Sequence, residues 1–193
     1  MKKTSLSFML FFGTMLSILA QNTSVGFRVG LNSSSVASDP VLSNQKSLIG
    51  INLGGFLMRS IHQNWGITGE LNFSAKGIKA DNGTTNLNYI EVPVYLNYYF
   101  TNPNQTWRPK LFVGGYWGYF LESIDGQKNV YEASDLGLVL GGGLHYKLGK
   151  TNWLIVDVRY GFGLMDIAKG STVMNNRTWS FNLGYSFPFG NTQ

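Results

Sequence analysis

The chain contains no cysteine. That absence excludes disulfides, thiolate metal sites and a lipidated cysteine behind an export signal, so neither a cross-link nor a lipid anchor is available. Charge is also scarce. Only 13% of the residues are charged, against about 25% in an ordinary soluble domain, so something other than water covers much of the surface. Beyond Ala20 no apolar run approaches the roughly 20 residues that a membrane-crossing helix requires. Any membrane role therefore falls to strands or to a peripheral surface. His62 and His145 are the only histidines, and their separation lacks metal-ligand spacing. No metal, cofactor or catalytic residue is expected on these grounds.

What is present begins with Lys2 and Lys3, an uncharged apolar stretch from Leu6 to Leu19, and Ala20 before the polar Gln21-Asn22-Thr23. This is the layout of a cleavable export signal, too short for a membrane anchor. We expect a signal peptide over residues 1–20 and one mature domain over 21–193. Without Lys2 and Lys3 the chain carries 13 basic and 10 acidic residues, a net charge of +3 with no basic run. Nucleic acid is not an expected partner.

From Val25 onward, apolar residues alternate with small or polar ones at the period of a strand. Val25, Phe27, Val29 and Leu31 oppose Gly26, Arg28, Gly30 and Asn32. The pattern recurs in seven further segments, from Ile49 to Leu57, Trp65 to Phe73, Ile90 to Phe100, Leu111 to Leu121, Leu136 to Tyr146, Leu154 to Phe162 and Trp179 to Phe189. The connections between them alternate long and short. Ser33 to Lys46, Ile78 to Asn86, Glu122 to Ser134 and Met165 to Asn176 are long, whereas Ser60 to Asn64, Thr101 to Arg108 and Gly149 to Asn152 are short. Short turns on one side and long loops on the other, with strands of roughly 9 to 11 residues, predict an all-β fold: an eight-stranded antiparallel up-and-down transmembrane β-barrel. Its termini and short turns would face the periplasm and its long loops the outside.

A soluble lipocalin-like barrel shows the same alternation with its faces reversed. Three features favour the membrane. The polar face is rich in glycine and poor in charge, which suits a filled interior. Trp65, Tyr98, Phe100, Trp153, Phe187 and Phe189 fall near one set of strand ends, with Trp107 in a turn there, and Phe73, Tyr119, Phe162 and Trp179 near the other, as two aromatic girdles require. The segment Asn182-Leu183-Gly184-Tyr185-Ser186-Phe187-Pro188-Phe189 resembles the C-terminal assembly signal of outer-membrane barrels. It implies the barrel-assembly machinery as a partner during insertion and outer-membrane lipid thereafter. Pro93 removes a ladder bond inside the fourth segment, so a bulge is expected there.

Gly26-Phe27-Arg28-Val29-Gly30-Leu31-Asn32, Gly69-Glu70-Leu71-Asn72-Phe73-Ser74-Ala75-Lys76-Gly77 and Leu87-Asn88-Tyr89-Ile90-Glu91-Val92-Pro93-Val94-Tyr95-Leu96 resemble the PorT-like small outer-membrane β-barrels of Gram-negative bacteria. Gly137-Leu138-Val139-Leu140-Gly141-Gly142-Gly143 and Val158-Arg159-Tyr160-Gly161 extend the resemblance over most of the mature chain. It implies the barrel fold and an integral outer-membrane location. It also implies a non-enzymatic structural or accessory role in an envelope process such as protein secretion, with secretion components as partners. Fold alone does not fix function.

Arg28, Glu70, Lys76, Glu91, Lys110, Asp157 and Arg159 fall on the inward face. They line a conducting or binding path, or they neutralise one another in a packed interior. An eight-stranded lumen is just wide enough for side chains, which favours the second. Counting from the strand starts puts Arg28, Glu70, Asp157 and Arg159 at one depth, and we expect them to form a hydrogen-bonded plug. A lipid A-modifying enzyme would need a histidine with a nucleophile at the outer rim. His62 falls in a short turn and His145 faces inward in the periplasmic half, so neither qualifies. Asp39, Lys46, Lys79, Asp81, Asp125, Lys128, Glu132 and Lys169 in the long loops suit solvation as well as binding of an extracellular ligand or adhesion.

Overall fold

The structure, a computed structural model, describes residues 22–39, 46–80, 83–123, 132–167 and 173–189. The expected signal peptide lies outside them. Eight strands follow one another: β1 (Thr23–Asp39), β2 (Lys46–Ser60), β3 (Trp65–Ala80), β4 (Gly83–Tyr99), β5 (Trp107–Ser123), β6 (Ser134–Leu148), β7 (Asn152–Gly163) and β8 (Val173–Phe189). Each pairs antiparallel with its successor, and β8 returns to pair with β1, closing the barrel.

The register fixes the dimensions. Val25 pairs with Leu57, Leu57 with Gly69, Gly69 with Val94, Val94 with Gly115, Gly115 with Leu138, Leu138 with Phe162, Phe162 with Arg177, and Arg177 with Ser35. One circuit therefore returns to β1 ten residues further along. With about 3.3 Å of rise per residue and about 4.7 Å between strands, that stagger tilts the strands roughly 40° and sets a backbone cylinder of roughly 8 Å radius.

The alternation resolves inside out. Apolar side chains face outward, with Ile49 73% exposed, whereas Asp157 on the inner face is 1% exposed. A water-soluble barrel would bury the first set and solvate the second. On β8 the outward row runs from Phe189 to Trp179, a rise of about 25 Å at this tilt, which matches the apolar band of an outer-membrane barrel. Beyond that band the strands continue. β1 stays paired with β8 up to Asp39 opposite Val173, so the observed strands run to 12–17 residues and exceed the length expected from the apolar alternation. The alternation places Ser33 to Lys46 in a connection, yet Ser33 to Asp39 belong to β1. The ladder itself, not an apolar face, extends the strand.

Three further expectations are corrected. Pro93 produces no bulge, because β3 and β4 lose the pairs at Glu70 and Leu71 but keep the same register on both sides. The register shift of β4 against β5 falls between Asn88 and Tyr89 instead. Trp107 is not in a turn: it opens β5 on the outer face, its ring 4.4 Å from that of Tyr146. Arg108, also expected in the connection, is a β5 residue buried inside the wall.

Glycines on the inner face make room for the large side chains beside them. A Cβ at Gly141 would stand 2.3 Å from Phe112 Cζ and 2.6 Å from the Val158 carbonyl oxygen. At outward Gly69 it would meet nothing within 4 Å. Gly141→Ala should therefore lower the unfolding free energy by about 1–3 kcal/mol through overpacking. Gly69→Ala should be neutral or slightly stabilising. Urea-induced unfolding of the two variants in lipid or detergent distinguishes these outcomes.

Candidate functional site

The interior is stacked in layers along the barrel axis. In the layer nearest the middle, Glu70 of β3 and Asp157 of β7 face Arg28 of β1 and Arg159 of β7. The cross-strand neighbours of Arg28 are Gly54 and Gly184, which have no side chains. Arg28 Nη1 donates to Glu70 Oε1 at 2.5 Å, and its Nη2 lies 3.5 Å from Asp157 Oδ2. Arg159 grips both carboxylates as a fork, through Nη1 and Nη2 to Glu70 at 2.9 and 3.1 Å and through Nε and Nη2 to Asp157 at 2.8 and 3.3 Å. Such bidentate, charge-assisted bonds are among the strongest available to side chains.

The remaining lone pairs are occupied too. Asn72 donates to Glu70 at 2.9 Å, Asn182 donates to Asp157 at 2.9 Å, and Arg159 donates to the Tyr95 hydroxyl at 2.7 Å. Aromatic faces complete the enclosure, with Arg28 4.9 Å from the Phe56 centroid and Arg159 4.8 Å from that of Tyr95. The structure thus brings together Arg28, Glu70, Asp157 and Arg159, all buried.

On the long-loop side of this layer, Asn32 is a hub. It donates to Ser74 Oγ and to the Ala75 carbonyl, and it accepts from Asn52 and Ser180 at 2.8 Å each. A polar cavity of about 40 Å³ adjoins it, lined by Asn72, Lys76, Glu91, Tyr116 and Thr178 among others. That is room for on the order of three waters. Next, Lys76 meets Glu91 at 2.5 Å and Asp135 at 3.7 Å. Val36, Leu87, Tyr89, Phe120 and Ile167 then pack across the mouth. Ile167 is held there by backbone bonds from its N–H to Met174 and from Glu132 to its carbonyl.

On the short-turn side, Lys110 has Asn97 Oδ1 at 3.5 Å as its described polar partner. Arg108 stacks on Tyr99 at 4.1 Å and donates to the Gln63 carbonyl. His145 is fully buried between Tyr99 and Trp153, and neither ring nitrogen has a hydrogen-bond partner among the described residues. His62 lies exposed in the turn between β2 and β3. The two histidines do not share a site. Among the described residues no group of three His, Cys, Asp or Glu side chains is placed to hold a metal ion.

Two charged interior groups escaped the sequence reading. Asp135 and Arg108 sit at the first turns of their strands, where the apolar alternation had not yet begun. Each nevertheless shares the inward parity of a residue already assigned, Asp135 with Gly137 and Arg108 with Lys110. Extending each strand by one pair would have found them. Of the loop charges, Asp81, Asp125, Lys128 and Lys169 lie outside the described residues.

With the geometry in place, comparison settles the family. The model of the outer membrane protein beta-barrel domain matches residues 19–169. The chain belongs to that family. It is an integral β-barrel of the outer membrane. Its fold is similar to the crystal structure of Neisserial surface protein A, with a TM-score of 0.65 at 13% identity over 88% of this chain and 98% of that one. It is less similar to Ail of Yersinia pestis, solved with the heparin analogue sucrose octasulfate, with a TM-score of 0.48 at 21% identity over 86% and 100% of the two chains. The N-terminal barrel domain of Pseudomonas aeruginosa OprF gives 0.48 at 12% identity over 86% and 98%. No curated protein sequence matches the chain.

Glu70 pairs with both arginines of the central layer. Glu70→Ala leaves buried guanidinium charge without its partner and should destabilise the barrel by about 3 kcal/mol or more. Leu71→Ala, one residue along on the lipid face, removes contacts with lipid and leaves no buried charge unpaired. Unfolding midpoints of the two variants in the same lipid measure the difference.

Proposed function

We propose that the protein is a plugged, non-catalytic outer-membrane barrel of the PorT-like kind, accessory to an envelope process such as protein secretion at the cell surface. One observation carries this reading: the lumen is filled at mid-depth by the interlocked Arg28, Glu70, Asp157 and Arg159 layer. The cavity beside it holds only about 40 Å³. A barrel so filled offers no through path, and its interior serves stability. Function then falls to the rims, where loops on a rigid scaffold can engage partners.

On this reading the short turns and both ends of the barrel face the periplasm, where Thr23 and Phe189 pair, and residues 1–20 are an export signal. The long connections face outward and meet secretion components or an extracellular ligand. No enzymatic role is part of the proposal. His62 is exposed in a short turn, and His145 is enclosed by aromatic rings rather than set beside a nucleophile.

Three measurements bear on this. Epitopes inserted after Ser38, Gly126 or Gly170 should be reachable by antibody on intact cells, and one after Gln63 should not; the opposite pattern means an inverted barrel. The purified barrel in planar bilayers should show no steady open events, and sustained conductance would remove the plug from the proposal. Deleting the gene should impair export of surface proteins while leaving lipid A structure unchanged.

A further inference from the structure

Charge is rare on the rows that face lipid. Arg59 of β2, two residues past Leu57, and Arg177 of β8, two residues past Trp179, stand on them at opposite ends of the barrel. Two residues of about 3.3 Å rise on a strand tilted roughly 40° set Arg177 about 5 Å beyond Trp179. Trp179 ends the apolar row of β8, so Arg177 lies just outside the hydrocarbon, at the depth of lipid headgroups. A cation at that depth on an outward row is aimed at the membrane interface rather than at the lumen.

The two arginines differ in how they are held. Arg177 Nη1 donates to the backbone carbonyls of Gly163 and Asn176 at 3.0 and 3.1 Å. Its guanidinium carbon lies 6.0 Å from the ring centroid of Phe162, its cross-strand neighbour on β7. The guanidinium is thus anchored through one nitrogen, while Nε and Nη2 have no hydrogen-bond partner among the described residues. No described carboxylate pairs with it either: the ion pairs of the barrel belong to Arg28, Lys76 and Arg159. On the other flank β1 sets Ser35 directly opposite Arg177, at the roughly 5 Å Cβ spacing of cross-strand pairs, and its hydroxyl is a further donor on the same face. Below them Trp179 and Tyr160 pack with ring centroids 4.9 Å apart. Arg59 is exposed and makes no described hydrogen bond, ion pair or ring contact.

We propose that Arg177 binds the headgroup phosphate of a lipid in the leaflet at the long-loop end of the barrel. Nε and Nη2 form one edge of a planar fork, the geometry that takes two phosphate oxygens side by side. Because Nη1 is already fixed, little side-chain freedom remains to be lost on binding. Depth and charge select a lipid as the occupant: the site opens sideways above Trp179 and Tyr160, on the face that acyl chains cover, and it carries a positive charge with no carboxylate beside it. On the orientation proposed above that leaflet holds lipid A, and the choice of leaflet rests on that reading.

The test is native mass spectrometry of the refolded, delipidated full barrel titrated with diphosphoryl lipid A, with the same lipid stripped of its phosphates, and with phosphatidylglycerol. Wild type and Arg59→Gln should retain diphosphoryl lipid A alike, and Arg177→Gln should bind it about tenfold more weakly. The stripped lipid should bind all three forms as weakly as lipid A binds Arg177→Gln. Equal retention by Arg177→Gln, equal retention of the stripped lipid, or full displacement by millimolar inorganic phosphate overturns the proposal. Retention of phosphatidylglycerol in place of lipid A overturns the choice of leaflet, and the epitope pattern shows separately whether the barrel is inverted. Should Arg177→Gln fail to fold, the Arg59→Gln barrel carrying nitrogen-15 arginine in lipid A bilayers decides the matter, since Arg28, Arg108 and Arg159 are buried in the lumen. A solid-state NMR contact between phosphorus and guanidinium nitrogen supports the site, and its absence sinks it.

Discussion

A backbone amide in hydrocarbon has no water to bind, and each unsatisfied group there costs several kcal/mol. Every other property of this protein follows from meeting that constraint with strands. The ladder must close on itself, and eight strands with a ten-residue stagger close at a radius of roughly 8 Å. At that radius side chains on opposite walls touch. The outer face is then free to be apolar, and the inner face must satisfy its own polarity within a space that admits few waters.

The composition of the interior answers that demand. Large inward groups stand next to inward glycines, so Phe112 lies where a Gly141 side chain would be, and Arg28 lies between Gly54 and Gly184. Low charge content and high glycine content are two sides of one packing solution. The few charges that remain are arranged as forks and hubs, because an arginine with a single, poorly placed partner would lose more in desolvation than it gains in attraction.

Much of this was legible in the sequence where lipid imposes a period of two. Phe27, Val29 and Leu31 against Arg28, Gly30 and Asn32 gave the strand, its inward set and its neighbours in the barrel. Legibility ended where lipid ends. From Ser33 to Asp39 the apolar alternation lapses, and nothing in the sequence pattern reveals that β1 still pairs with β8. Arg108 and Asp135 were missed for the same reason, at strand ends where no apolar partner marks the parity. Pro93 misled in the other direction. Loss of one ladder bond is a local matter that a closed barrel absorbs without adding a residue, because the register is fixed by the strands on both sides. The grouping of Arg28, Glu70, Asp157 and Arg159 could be expected from depth alone, but the division of labour among them could not. That Arg159 holds both carboxylates depends on side-chain direction, which a linear count does not contain.

The seam between β1 and β8 runs from Thr23 opposite Phe189 to Asp39 opposite Val173. It is a continuous ladder, and it joins the strands farthest apart in the chain. Contacts of such separation are slow to form, since the loop they close is the whole domain. Until β8 arrives, β1 and the last strand in place each present a row of unpaired amides, and neither edge is tolerable in hydrocarbon. A nascent barrel of seven strands is therefore not a partly stable version of the final one. Closure and insertion have to be nearly the same event, so that the kinetics of assembly rest on the 17 residues of β8 rather than on the six hairpins that precede them.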